Sequence, residues 1–159
     1  MRSVRNLSQI SSNVGTVAGD DARLALEYPG ILFLNSETDF GEIVDGTSNT
    51  LLLGERDGAA LGPDGSGEER TRAAGLWCGS HQANWINECL GSTSSEPDWT
   101  LNSASSGFFQ QFVPFSSSHS GGANFARADG SVTFVADGVA GETYEFMGTK
   151  SDGEVVDPL

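Results

Sequence analysis

His119 lies in a run of serines, Ser116, Ser117, Ser118 and Ser120, and Asp129 follows it ten residues later. Serine, histidine and aspartate are the parts of a hydrolytic triad, in which histidine takes the serine proton and the carboxylate orients the imidazole. None of these serines is framed by the Gly-x-Ser-x-Gly turn that lifts such a nucleophile out of an α/β sheet. A positional role fits the residues better. In it His119 bonds a backbone or carboxylate partner and fixes the approach to the next element, with Gly121 and Gly122 permitting close passage.

Asp45-Gly46-Thr47-Ser48-Asn49 offers oxygen atoms at close spacing, the donor type that hard divalent cations prefer. The spacing is not that of an EF-hand loop. The alternative is a turn in which the Asp45 and Asn49 side chains bond nearby backbone groups, and that reading is preferred. No cofactor is therefore expected, and calcium at Asp45 or Asp129 stands as the competing possibility.

Cys78 and Cys89 are the only cysteines, separated by ten intervening residues and outside any CxxC spacing, so zinc and dithiol redox chemistry are weak readings. In an oxidising compartment the expectation is an intramolecular disulfide between them. Trp77, Trp85 and Trp99 flank that loop and could form a stacking platform for sugars, which makes a secreted glycan- or solute-binding domain the main competing function. Anchoring of the core or of the loop is the preferred role for these tryptophans.

Charge narrows the partners. The chain carries 22 acidic against 8 basic residues, a formal net charge of −14, and Lys150 is its only lysine. Nucleic acid needs a basic surface to neutralise phosphate, and an anionic membrane surface repels an acidic protein. No apolar run approaches the roughly 18 residues of a membrane span. A chain of 159 residues fits one domain; such a domain buries about two-thirds of its unfolded surface.

The elements that would position these residues can be read from pattern. Residues 1–20 read as a polar lead-in arm and 21–159 as one head domain. Asp20-Asp21 can cap a short helix from Ala22 to Tyr28, ended by Pro29-Gly30. Ile31 to Leu34 and Leu51 to Leu53 are apolar runs of strand type, with the 45–49 turn between them. The stretch 59–74 is polar and glycine-rich, as is 91–106, and both are expected as surface loops. Gly107 to Phe115 has the aromatic loading of a strand.

Ala123 to Val135 forms two alternating segments joined by Asp129-Gly130, the strongest short-range signal for a β-hairpin. A two-residue type I′ loop would set Ala128 opposite Ser131 and Phe125 opposite Phe134, giving a Phe–Phe pair on the buried face. Glu142 to Met147 reads as a short amphipathic helix, and the segment from Gly153 to Val156 as an edge strand.

Three blocks together resemble a large bacterial group of pseudopilin-like proteins of unknown function. Its members begin with a type II secretion-style leader and end in a signature of His, nine residues, Asp-Gly. The blocks here are Ile43 to Thr50 through Gly54-Glu55; His119 through Asn124 to Asp129-Gly130-Ser131-Val132; and Tyr144 through Val156. The resemblance implies a pilin-like head, an antiparallel sheet supporting a long N-terminal helix. The motif positions it marks are Asp45, Gly46, Thr47, Ser48, Asn49, Glu55, His119, Gly121, Gly122, Asn124, Asp129 and Gly130. This chain lacks the prepilin cleavage site and the apolar helix, so membrane contact through that helix is not expected of this polypeptide.

The resulting expectation is an α+β, mainly β head with an antiparallel sheet, short helices and long surface loops. Its expected role is non-catalytic: structure or assembly at the cell envelope, in an extracellular or periplasmic setting, with other envelope or pilus-like subunits as partners and no nucleic acid. The competing functions are the secreted solute- or glycan-binding domain and, behind it, a hydrolase using His119 with a neighbouring serine.

Overall fold

The computed structural model describes residues 30–32, 36–56, 60–61, 70–71, 90–93, 95, 100–103, 114–151 and 153. The arm 1–20, the helix expected from Ala22 to Tyr28, the aromatic run from Gly107 to Val113 and the tail from Glu154 lie outside the described residues, as do Cys78, Cys89, Trp77, Trp85 and Trp99.

The hairpin forms where the Asp-Gly signal places it, from β4 (Gly122–Arg127) and β5 (Val132–Ala136). Its register differs from the expected one by a single residue. Ala126 faces Val132, Phe125 faces Thr133 and Asn124 faces Phe134. The reason lies in the turn. The Arg127 C=O accepts from the Gly130 N–H at 3.0 Å and the Arg127 N–H donates to the Ser131 C=O at 2.8 Å, so Ala128, Asp129 and Gly130 form a three-residue loop. Gly130 alone in this loop has a positive φ, +84°, which marks a type I turn closed by a left-handed glycine rather than a type I′ turn. Asp129 instead caps the turn, its carboxylate accepting the Ser131 N–H at 2.9 Å.

One residue of slip exchanges the faces of the sheet. Phe125 is 1% exposed in the core, whereas Phe134 stands on the outer face at 45%. The expected Phe–Phe pair does not exist.

β1 (Leu51–Gly54) completes a three-stranded antiparallel sheet in the order β1-β4-β5. It pairs Leu51 with Arg127, Leu53 with Ala126 and Gly54 with Phe125, with a bulge at Leu52. The bulge lets two neighbouring leucines serve separate clusters. Leu51 joins the main core with Leu101, Ala123, Phe125, Val135, Tyr144 and Met147, while Leu52 packs on a second cluster of Ile31, Ile43 and Ala128. Gly54 lies under the aromatic rings, where a Cβ would come within 2.5 Å of both Phe115 and Phe125. Phe125 meets Phe115 edge-on at 5.1 Å between centroids and Tyr144 at 6.2 Å, the T-shaped geometry that ring quadrupoles favour.

The helix expected near the C-terminus is α1 (Gly141–Met147), which buries Tyr144 and Met147, one turn apart, against the sheet. The Tyr144 hydroxyl is buried with no hydrogen-bond partner among the described residues, and burial pushes its pKa far up despite the opposing influence of Arg56.

Three further elements depart from expectation. Ile31 sits in a bend rather than a strand, held by its C=O accepting from the Thr38 hydroxyl at 2.9 Å. Phe40–Glu42 forms a 3-10 turn with a full capping box between Asp39 and Glu42. Within the stretch read as a loop, β2 (Ala60–Leu61) and β3 (Arg70–Thr71) pair antiparallel as a second, two-stranded sheet. The described residues are thus a mixed arrangement of antiparallel strands and one α-helix, in line with the α+β expectation at that level.

Replacing Gly130 with valine is expected to destabilise the fold by about 1–2 kcal/mol through the left-handed φ. Chemical denaturation should show a lower midpoint with an unchanged denaturant slope, and Gly130→Asn should retain more of the stability than valine does.

Candidate functional site

Glu55 stands at the end of β1, where the ladder to β4 breaks. Its N–H still donates to the Asn124 C=O at 3.3 Å, but its own C=O turns away to accept from the Ser116 N–H at 3.0 Å. The Asn124 N–H, aimed at β1 by the strand alternation, therefore lacks a backbone acceptor. The Glu55 carboxylate supplies one, with Oε2 accepting that N–H at 2.8 Å and Oε1 accepting from the Asn124 amide at 3.3 Å. A side chain thus completes the ladder in place of a main-chain carbonyl.

The segment before β4 wraps the same carboxylate. His119 Nε2 lies 3.3 Å from Oε1, and the Ser117 hydroxyl also bonds to Glu55. The Ser117 Oγ in turn accepts the His119 N–H at 3.1 Å. Ser117 is itself tied back, its N–H donating to Asn102 Oδ1 at 2.8 Å, while the Asn102 amide donates to Asp137 at 2.6 Å. Asn102 holds a left-handed φ of 59°, a conformation that asparagine tolerates well. Partial burial alone would raise the Glu55 pKa, but the Asn124 N–H, the Ser117 hydroxyl, the Asn124 amide and the His119 charge together hold it below the ordinary value.

This arrangement differs from a triad in its order. A catalytic histidine must touch the serine it activates, yet here Glu55 is the group that both His119 and Ser117 engage. Asp129 does not join them. It sits beyond the far end of β4, a six-residue strand on the order of 20 Å long. Gly121, with φ +82°, and buried Gly122 carry the chain from the His119 segment into β4.

The loop from Asp45 to Thr50 forms the second constellation. Its carbonyl oxygens point at protein donors. Gly46 C=O accepts from the Asn49 and Thr50 N–H groups, Thr47 C=O from the Asp129 N–H and Thr50 C=O from the Ala128 N–H, all between 2.9 and 3.2 Å. Ser48 C=O accepts from the Arg127 guanidinium at 2.7 Å, and Asp45 C=O from the Asn49 amide at 2.9 Å. The buried Asp45 carboxylate accepts the Gly153 N–H at 2.9 Å. Lys150 closes the far side, its C=O accepting from Val44 and Asp45 and its ammonium reaching Thr38 at 3.3 Å and Glu42 at 3.7 Å. Among the described residues no group of three or more His, Cys, Asp or Glu side chains could hold a metal ion.

Glu55 and His119 come from the motif blocks, as does Lys150 beside the Asp45 loop, but Ser117 and Asn102 as supports of the Glu55 carboxylate do not. The bonds concerned span 15 residues for Ser117 to Asn102 and 108 for Gly153 to Asp45, separations that carry no local periodicity.

The depressed Glu55 pKa fixes the sign of a pH effect. Its stabilisation is present above the pKa of the unfolded carboxyl and is lost as pH falls through the lower folded value. Acid titration of the unfolding midpoint should fall through that range, and Glu55→Gln should flatten that part of the curve. For the 45–50 loop, where the carbonyls of Asp45, Gly46, Thr47, Ser48 and Thr50 already accept from the chain, the melting temperature is expected to be the same in excess calcium and in chelator.

No curated protein and no solved structure matches the chain. A match does extend over residues 3–142, which takes in β1, the Glu55 and His119 constellation, the Asp45 loop and the whole hairpin. It is to the family described as protein of unknown function (DUF1559), and the chain belongs to that family.

Proposed function

We propose that the chain is a non-catalytic structural or assembly module of the cell envelope, a pseudopilin-like head that works with other envelope or pilus-like subunits. The observation that supports this reading is the Glu55 carboxylate, which faces the Asn124 N–H, the Asn124 amide, Ser117 and His119 together. A carboxylate so surrounded fastens two segments of the chain to each other. The other motif residues follow the same pattern: Asp45 holds Gly153, Asn49 holds Asp45 and Asp129 holds Ser131.

In this reading the setting is extracellular or periplasmic. A Cys78–Cys89 disulfide belongs to such a setting, because disulfides persist where the surroundings are oxidising. Contact with the membrane would run through an N-terminal helix of the prepilin type.

Two measurements test the proposal. An epitope-tagged full-length protein should fractionate with the envelope or the medium of its native cells. The purified chain should leave a panel of ester substrates at the background rate, for wild type and His119→Ala alike. Saturable hydrolysis that disappears in His119→Ala would overturn the reading, and so would retention in the cytoplasm.

A further inference from the structure

Among the described residues β5 is an edge strand that pairs with β4 alone. Because Arg127 and Ser131 form a hydrogen-bonded pair, alternation points the N–H and C=O groups of Val132 and Phe134 away from β4, as it does the N–H of Ala136. The protections that residue type can give such an edge are missing from its sequence. Val132-Thr133-Phe134-Val135-Ala136 contains no proline, no glycine and no charge.

The outer face beside this edge is apolar. Leu53, Ala126 and Val132 form a row across the three strands, and Leu53 is 58% and Val132 70% exposed. Phe134 stands one position along, its ring over Gly122, where a Cβ would come within 2.8 Å of it. The ring is thereby held in place while almost half of the residue stays open to solvent.

Charge selects the occupant. From Ala128 to Thr149 the chain carries Asp129, Asp137, Glu142 and Glu145 and no basic residue. Asp129 and Asp137 bracket β5, and both are exposed. A second copy of this chain would bring the same carboxylates and another −14 charges to the contact.

We infer that β5 is a strand-addition site for an extended peptide segment of a partner protein, with apolar residues at alternate positions and lysine or arginine at its ends. The backbone of the segment pairs with Val132 and Phe134, its apolar side chains lie on the row of Leu53, Val132 and Phe134, and its basic ends meet Asp129 and Asp137. This inference stands independently of the envelope reading, because it uses only the edge, the face and the charges.

The test is titration of the full chain with the synthetic peptide Lys-Thr-Val-Thr-Val-Thr-Lys and with its Glu-ended counterpart, followed by fluorescence anisotropy. The Lys-ended peptide should bind saturably, weaken as salt rises, and bind about tenfold or more tightly than the Glu-ended one. Val132→Pro removes an outward N–H and no bond of the ladder to β4, and should abolish binding while the melting temperature stays close to wild type. Phe134→Lys changes an exposed side chain without touching the ladder, and should also weaken binding about tenfold or more. Should Val132→Pro fail to fold, Phe134→Lys decides alone. Equal binding by wild type and Phe134→Lys, equal binding of the two peptides, or no saturable binding would each overturn the inference. So would dimerisation of the chain that Phe134→Lys removes, since it would assign the edge to a second copy.

Discussion

The fold depends on where the N–H groups of Ala128 and Asp129 go. A hairpin turn directs these donors away from both of its strands, and a buried N–H without an acceptor is strongly unfavourable. The carbonyls of Thr50 and Thr47 receive them, at 2.9 and 3.0 Å. That pair of bonds seats the turn on the 45–50 loop and places buried Ala128 beside Ile31 and Ile43. It thereby accommodates the three-residue loop, and the loop decides which aromatic ring of the hairpin enters the core.

Much of this was legible in the sequence. Asp129-Gly130 announces a hairpin, Leu51 to Leu53 announces a strand, and the spacing of Tyr144 and Met147 announces a helix with one buried side. The register was not legible, because Asp-Gly serves two turn families that differ by one residue in loop length. What chooses between them is the distant pair of carbonyls, invisible to any local pattern. The clasp at Glu55 was hidden for the same reason. Its residues carry a family resemblance, but nothing local says that Glu55 replaces a ladder carbonyl for Asn124, 69 positions further on. The capping box from Asp39 to Glu42 is different, since its Asp-x-x-Glu pattern is local and present in the sequence itself.

The acid-rich composition acquires a local logic in the structure. With 8 basic residues for 22 acidic ones, most carboxylates cannot find a cation. Asp39, Asp45, Glu55 and Asp129 each accept a backbone N–H group at 2.8 to 2.9 Å, at a helical turn, a loop closure, a strand end and a hairpin. Each is a charge-assisted bond at a place where the regular ladder stops. Acidity in this chain thus acts as a means of finishing elements of structure as well as a source of solubility.

The same scarcity of cations leaves Lys150 in a singular position. It is the sole lysine, and its side chain is 13% exposed between Thr38 and Glu42 while its own carbonyl receives two donors from the 44–45 turn. A reagent that acylates side-chain amines therefore meets one target, and meets it freely only when the segment around it opens. The protein carries its own gauge of local unfolding, at the seam where its C-terminal stretch joins the Asp45 loop.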